Sequence, residues 1–115
     1  MIKITLPFPP SVNALFGGGS KQQRFPSKAY KQWWKDCPQL EPLGLMYVEL
    51  EYQFWFPDKR TRDSQNYIKA VTDYLVKQNV IVSDAWEFIK FEGIRPMGVD
   101  KVNPRVDVFI KEVQA

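Results

Sequence analysis

The run YVELEYQFWF at residues 47–56 restricts the fold more than any other part of the chain, because apolar and polar side chains alternate along it. The apolar positions are Val48, Leu50, Tyr52, Phe54 and Phe56, and the polar ones are Glu49, Glu51 and Gln53. A period of two residues is typical of a β-strand with one face on a core and the other in water. The pattern therefore predicts a strand over 47–56, which Pro57 ends because proline lacks a backbone donor.

Three other segments also predict strands. Residues 2–6, IKITL, alternate in the same way, and residues 86–94 and 105–113 combine β-branched and aromatic side chains. The segment 95–104, RPMGVDKVNP, is rich in turn-forming residues. It predicts the connector between the last two strands.

Two segments predict helices. Residues 27–36 begin at Ser27, a favourable cap, and Pro38 ends this helix. Residues 64–78 place apolar side chains on one arc of a second helix. The opposite arc contains Gln65, Asn66, Lys69, Thr72 and Asp73, together with Val76. The order β, loop, α, β, α, β, β predicts one small domain over residues 1–115, of the α/β (α+β) class, with a mixed sheet of about four to five strands and two main helices packed on it.

Two residue types limit the chemistry available to this chain. It has no histidine, which excludes Ser-His-Asp and Cys-His mechanisms, His-ligated zinc and a histidine general base. Cys37 is the only cysteine, so no intramolecular disulfide can form, which suits a reducing compartment. An enzyme with this composition would depend on carboxylates, lysine and a hard metal ion.

The N-terminal run MIKITLPFPP lacks the apolar core of a signal peptide. No stretch approaches the ~20 apolar residues that a membrane span requires. We therefore expect a cytoplasmic protein that makes no contact with a membrane.

The formal net charge of +3 is unevenly distributed, since basic residues cluster in two places. The early cluster contains Lys21, Arg24, Lys28, Lys31 and Lys35, and the central cluster contains Lys59, Arg60, Arg62 and Lys69. Local basic patches indicate an anionic partner, with nucleic acid the first choice. The alternative is a solubilising surface without a partner.

Two acids stand at the ends of predicted elements. Asp63 precedes the second helix, and Asp84 follows the apolar run VIV at residues 80–82. Together with water, two carboxylates in one crevice could hold Mg²⁺, which prefers oxygen ligands and activates water for attack on a phosphate. The alternative is structural: Asp63 caps a helix, Ser83-Asp84 caps a turn, and Lys69 pairs with Asp73.

Three segments occur in an order and at spacings that match a known family: ITLPFPPSVN at 4–13, PDKRTRDSQNYIKAVTDYL at 57–75, and VIVSDAWEFIKF at 80–91. With them the chain resembles the RusA family of Holliday junction resolvases, which are small homodimeric endonucleases of bacteria and their phages. The resemblance implies Mg²⁺-dependent cleavage of four-way DNA junctions in recombination and repair, with Mn²⁺ as a substitute and no small-molecule cofactor. It also implies a homodimer in a bacterial cytoplasm, encoded by a phage or prophage.

The family's central motif is Asp-x-Asp-Asn, with a lysine three residues after the asparagine. Asp63, Asn66 and Lys69 match this motif, Asp84 matches the acid after the apolar strand, and Gln65 stands in place of the second aspartate. The resemblance implies that Asp63, Asp84 and Gln65 hold the metal and that Lys69 assists catalysis. It implies DNA contacts from Lys21, Arg24, Lys28, Lys59, Arg60 and Arg62, together with Asn66 and Lys69, and a DNA-contacting loop over residues 17–24.

Gln65 raises a question about activity, because an amide oxygen can bind a metal but carries no charge. Loss of one negative charge weakens the binding of Mg²⁺. Glu87 or Asp73 could supply the missing charge. Alternatively, the protein cleaves poorly and still binds DNA junctions.

Overall fold

The computed structural model describes residues 1–18 and 24–115. Within these ranges the chain forms a four-stranded mixed sheet, a two-stranded ribbon and two α-helices. The elements are β1 (Ile2–Pro7), β2 (Phe16–Gly17), β3 (Phe25–Pro26), α1 (Lys28–Asp36), β4 (Val48–Phe56), α2 (Ile68–Lys77), β5 (Ile89–Val99) and β6 (Arg105–Glu112). The larger sheet has the order β1-β6-β4-β5, and β2 pairs with β3. The predicted α+β class, with its mixed sheet and two helices, is confirmed.

The alternation along β4 appears directly in the burial of its side chains. Val48, Leu50, Tyr52 and Phe54 are buried, whereas Glu49, Glu51 and Gln53 are only partly covered. The neighbouring β6 contributes Val106, Val108 and Ile110 to the same core. Removing these apolar surfaces from water is the main stabilising contribution to the fold.

Helix α1 begins where the sequence predicts. The hydroxyl of Ser27 accepts a hydrogen bond from the backbone N–H of Tyr30 at 3.1 Å, which satisfies one of the unpaired donors of the first turn. Tyr30 and Trp33 face the core. The helix ends at Asp36, because Cys37 is extended ahead of Pro38.

The second predicted helix has two parts. Residues Ser64–Tyr67 form a 3-10 turn, and the α-helix proper covers Ile68–Lys77. The prediction of a polar environment for Thr72 is wrong, because this side chain is buried and hydrogen-bonded to the Tyr52 hydroxyl and the Ile68 carbonyl. A hydroxyl can lie inside the core when both of its partners are supplied there.

Strand β5 differs most from the prediction. It begins at Ile89 rather than at residue 86, and it continues to Val99 through half of the predicted connector. The reason is its parallel pairing with β4, which supplies partners as far as the pair Phe56 and Val99. Pro96 is tolerated because β5 is an edge strand of the sheet, where a missing backbone donor costs little.

None of the helices among residues 1–18 and 24–115 has the length and apolar character needed to cross a membrane. The predicted DNA-contacting loop falls only partly within these ranges. Gly17 belongs to β2, Arg24 directly precedes β3, and Lys21 lies outside the described residues.

Candidate nucleic-acid and metal site

The loop that follows β4, residues 57–62, is organised around Asp58. We call it the basic loop. The Asp58 carboxylate accepts hydrogen bonds from Arg62 at 2.7 Å and from the backbone N–H of Arg60 at 2.9 Å. The Arg62 guanidinium, followed by the Arg60 N–H, holds the pKa of Asp58 well below its usual range. Asp58 therefore stays ionised and holds the loop in one shape.

The two arginines of this loop have different exposures. The Arg62 side chain is 9% exposed, and its guanidinium lies 5.8 Å from the ring centre of Phe8 and 5.9 Å from that of Phe56. The Arg60 side chain is 79% exposed. Arg62 is thus held inside the protein by stacking and ion pairing, while Arg60 and the exposed Lys59 present their charge to solvent.

An open groove of about 470 Å³ runs beside the basic loop. One part of its lining is charged and comes from the loop, and the other is apolar and comes from Phe56 and residues 96–99 of β5. Ser64, which directly follows Asp63, also lines this groove. The groove therefore extends from the basic loop to the start of the predicted motif.

Asp63 occupies the cap position of the 3-10 turn. One oxygen of its side chain accepts a hydrogen bond from the backbone N–H of Gln65 at 3.1 Å, and its carbonyl accepts one from Asn66 at 3.0 Å. Asp63 and Gln65 are exposed, and Asn66 is half-buried. The capping role considered as an alternative is real. It uses one of the roughly four acceptor sites of a carboxylate, so a second ligand remains possible.

Lys69 lies in the first turn of α2 and makes an ion pair with Asp73 at 3.2 Å. This is the i,i+4 pair considered as a structural alternative. The Lys69 side chain is 48% exposed, so the pair is accessible to solvent and contributes little to stability. An approaching phosphate could compete for this ammonium group.

Asp84 belongs to a separate group of acids, which we call the acidic cluster: Asp73, Asp84 and Glu92. Burial, followed by the charges of Glu92, Asp84 and Asp73, raises the pKa of the Tyr52 hydroxyl well above its ordinary value. Partial desolvation, followed by the charge of Asp84, likewise raises the pKa of Glu92, whose side chain is partly open to solvent. Each of the three acids thus acts on the buried Tyr52 hydroxyl, which is hydrogen-bonded to Thr72, and Asp84 acts on Glu92 as well.

Glu92 was not recognised from the sequence as a site residue. It is opposite Leu50 in the β4–β5 pairing, on the side of the sheet that faces α2. The signal was present in the strand itself, because Glu92 and Ile94 alternate with Phe91 and Gly93. Only the partner strand shows which of these two sets faces the helix.

The connections that hold Asp63 and Asp84 approach the sheet from different ends. Asp63 follows the C-terminal end of β4, whereas Asp84 precedes the N-terminal end of β5, and these two strands are parallel. Glu87, proposed as a compensating acid, is exposed in the turn before β5. A shared ion between Asp63 and Asp84 stays a prediction.

Within the described ranges no three acidic, cysteine or histidine side chains are grouped closely enough to hold a metal ion. The oxygen donors of Asp63, Asp84 and Gln65 suit Mg²⁺ chemically. Mg²⁺ usually keeps several waters and takes phosphate oxygens from its substrate, so two protein ligands can suffice.

The thiol of Cys37 is unsuited to nucleophilic chemistry. Burial, with a smaller contribution from Asp36, raises its pKa to about 12. A thiolate is the reactive species, so this cysteine serves as a small core residue.

Two predicted DNA contacts lie near the N-terminus, away from the basic loop in sequence. Arg24 is exposed and its guanidinium lies 4.6 Å from the ring centre of Phe16, which stabilises the β2–β3 ribbon. Lys28 is exposed in the first turn of α1. Both charges are accessible to a phosphate backbone.

No family model matches the chain, and no curated protein matches it. A functional assignment therefore depends on the residues and their geometry.

Proposed function

We propose that this protein is a Mg²⁺-dependent endodeoxyribonuclease that resolves four-way DNA junctions, acting as a homodimer in the cytoplasm. A two-fold symmetric dimer would place two identical sites on the two symmetric strands of the junction. The proposal rests on the resemblance of three sequence segments to the RusA family and on the arrangement of charge around the start of α2.

One observation carries the proposal. The exposed carboxylate of Asp63 follows directly on a loop that presents Lys59 and Arg60 to solvent, beside a groove that reaches Ser64. Cations that bind a DNA backbone are thus adjacent to an acid suited to a metal ion. A nuclease needs this combination, because phosphate must be held close to the group that activates water.

The roles of the individual residues follow from their surroundings. Asp63 and Asp84, with the amide oxygen of Gln65, would hold Mg²⁺, which supplies an activated water and neutralises charge on the phosphate. Lys69 would leave Asp73 and stabilise the negative charge that develops on the scissile phosphate. Lys59, Arg60, Arg24 and Lys28 would bind backbone phosphates and make the affinity depend on salt.

A second function is favoured by Gln65. This neutral side chain replaces an acid in the predicted motif, so the protein could bind junctions through the same surface and cleave them weakly. In that case the acidic cluster is structural and the basic loop carries the biological activity.

The test is a cleavage assay on a synthetic four-way junction with Mg²⁺ or Mn²⁺, with linear duplex of the same sequence as the control. We expect binding that prefers the junction and paired nicks placed symmetrically near the crossover. A protein that does not distinguish the junction from duplex, and cuts neither, would refute both functions.

Gln65→Asp separates the two functions. Restoring the acid should strengthen metal binding and raise the cleavage rate if Gln65 limits activity, while junction affinity without metal should fall only slightly. Gln65→Asn, which keeps the amide, is the matched control. A weak wild-type enzyme whose rate does not rise in Gln65→Asp would show that the limitation lies elsewhere.

A further inference from the structure

The groove beside the basic loop has two chemically distinct parts. Its apolar lining comes from Phe56, Pro96, Met97 and Val99, and its cationic lining includes Lys59 and Arg60. Met97 is 40% exposed and Val99 is 38% exposed, so apolar surface is open to solvent here. Exposed apolar surface next to exposed cations indicates a ligand that has both an apolar and an anionic part.

A β-bulge places Met97 in this lining. Phe54 pairs with Pro96 and Trp55 pairs with Gly98, so Met97 is the additional residue in β5. Gly98 has a φ of +149°, which L-residues with a side chain rarely adopt, and this conformation closes the bulge. Bulges commonly redirect a side chain next to a functional site. The sequence PMGV thus builds the apolar wall of the groove.

The cationic side of the groove carries a net positive charge. Asp58 offsets one of the charges of Lys59, Arg60 and Arg62, and the Arg62 side chain is turned inward. Lys59 and Arg60 therefore remain the accessible cations. They are suited to one or two phosphates at the mouth of the groove.

We infer that this groove binds one unpaired nucleotide of a DNA strand, with the base against the apolar wall formed by Met97, Val99 and Phe56 and the adjacent phosphate on Lys59 and Arg60. The inference rests on the proposed function and names the part of the junction that this site recognises. In a paired duplex the base faces are stacked, so only an unpaired nucleotide can present its face to the wall. The volume lies within the range of about 300–1,000 Å³ that is usual for small-ligand sites.

The groove lies next to the predicted metal motif. Ser64 lines the groove and is bonded to Asp63, the first residue of the predicted metal motif. A nucleotide held there would fix the strand beside Asp63. Stacking is interrupted where the strands of a junction exchange, so a nucleotide there leaves its pair at a lower cost than one within a duplex. The groove would therefore direct the protein to the crossover.

The experiment compares two four-way junctions in the absence of divalent metal. One is fully paired, and the other carries a single unpaired 2-aminopurine nucleotide at the crossover. Fluorescence anisotropy measures affinity, and 2-aminopurine emission reports the contact of the base with the protein. We expect the unpaired nucleotide to raise affinity about fivefold and its emission to change on binding.

Met97→Gln and Val99→Thr should remove both effects, because they make the wall polar without adding charge. Met46→Gln is the matched control, since Met46 is 50% exposed and lies outside the groove. Circular dichroism should show that all three variants fold.

Four results would overturn the inference. The two junctions could bind with equal affinity, or the higher affinity of the junction with the unpaired nucleotide could persist in both groove variants. In either case junction binding itself would stay intact and support the proposed function. Met97→Gln could instead change sedimentation of the DNA-free protein and leave the nucleotide effect unchanged, which would make the groove a contact between protein chains. Loss of all preference for junctions over duplex would reject the proposed function and this inference together.

Discussion

The basic loop and the acidic cluster have opposite electrostatic designs. In the basic loop, Asp58 is surrounded by cations, and its pKa is lowered by Arg62 and then by Arg60. In the acidic cluster, the pKa of Glu92 is raised by partial desolvation and then by the charge of Asp84. The first arrangement favours an anionic ligand, whereas the second favours a cation. The proposed nucleic-acid binding and the proposed metal binding can therefore be tested separately by mutation.

The largest expected effect concerns the two acids that the metal proposal joins. Asp63→Asn and Asp84→Asn should each reduce Mg²⁺-dependent cleavage by roughly a hundredfold or more, because each removes a charged ligand. If both acids hold one ion, the double variant should be no slower than the slower single variant. Single-turnover rates on a four-way junction measure this. If the reductions in cleavage rate of the two single variants multiply in the double variant, the two acids have separate functions.

A smaller effect is expected for the basic loop. The double variant Lys59→Ala and Arg60→Ala should weaken junction binding about tenfold at moderate salt and lower the slope of log affinity against log salt by about two. The matched control is the double variant Lys3→Ala and Lys111→Ala, which changes two exposed lysines on β1 and β6. An unchanged salt dependence in the loop variant would show that the basic loop does not contact phosphate.

Stability should depend on pH through Asp58. Because its pKa is lower in the folded protein, the unfolded chain binds protons more tightly, and folding gains stability above the ordinary aspartate pKa. This gain is lost as the pH falls through the folded pKa. Asp58→Asn should therefore lower Tm by a few degrees near neutral pH and much less in acid. Glu41→Gln changes an exposed acid between α1 and β4, and it should leave Tm unchanged both near neutral pH and in acid.

The smallest expected effect has the opposite sign. The pKa of Glu92 is raised, so the folded protein binds this proton more tightly than the unfolded chain does. The resulting stabilisation is present below the ordinary glutamate pKa and is lost as the pH rises through the folded value. Glu92→Gln should raise Tm slightly near neutral pH, and Glu87→Gln should not. A fall in the Tm of Glu92→Gln would mean that the negative charge of Glu92 beside Asp84 does not destabilise the folded protein.

Much of the fold could be predicted because local patterns and tertiary structure agree. The alternation along β4, the Ser27 cap of α1 and the apolar arc of α2 all have a physical cause within a few residues of the chain. The predictions for β5 and Thr72 were wrong because their partners are distant in sequence. Pairing with β4 extends β5 beyond Pro96, and Tyr52 supplies a partner for a hydroxyl that the helix pattern assigns to solvent.

The candidate site also combines features that are visible in the sequence with features that depend on tertiary contacts. The order of the amino acids alone shows which residue types are available: no histidine, one cysteine, a basic loop and the acids Asp63 and Asp84. The tertiary structure decided which of them act together, because charge and burial depend on neighbours in space. It turned Arg62 inward, placed Glu92 beside Asp84, and used a bulge at Met97 to build a groove against the basic loop. Each of these three results also depends on a contact between elements: Arg62 lies near Phe8, Glu92 is opposite Leu50 of β4, and the groove lies between β5 and the basic loop.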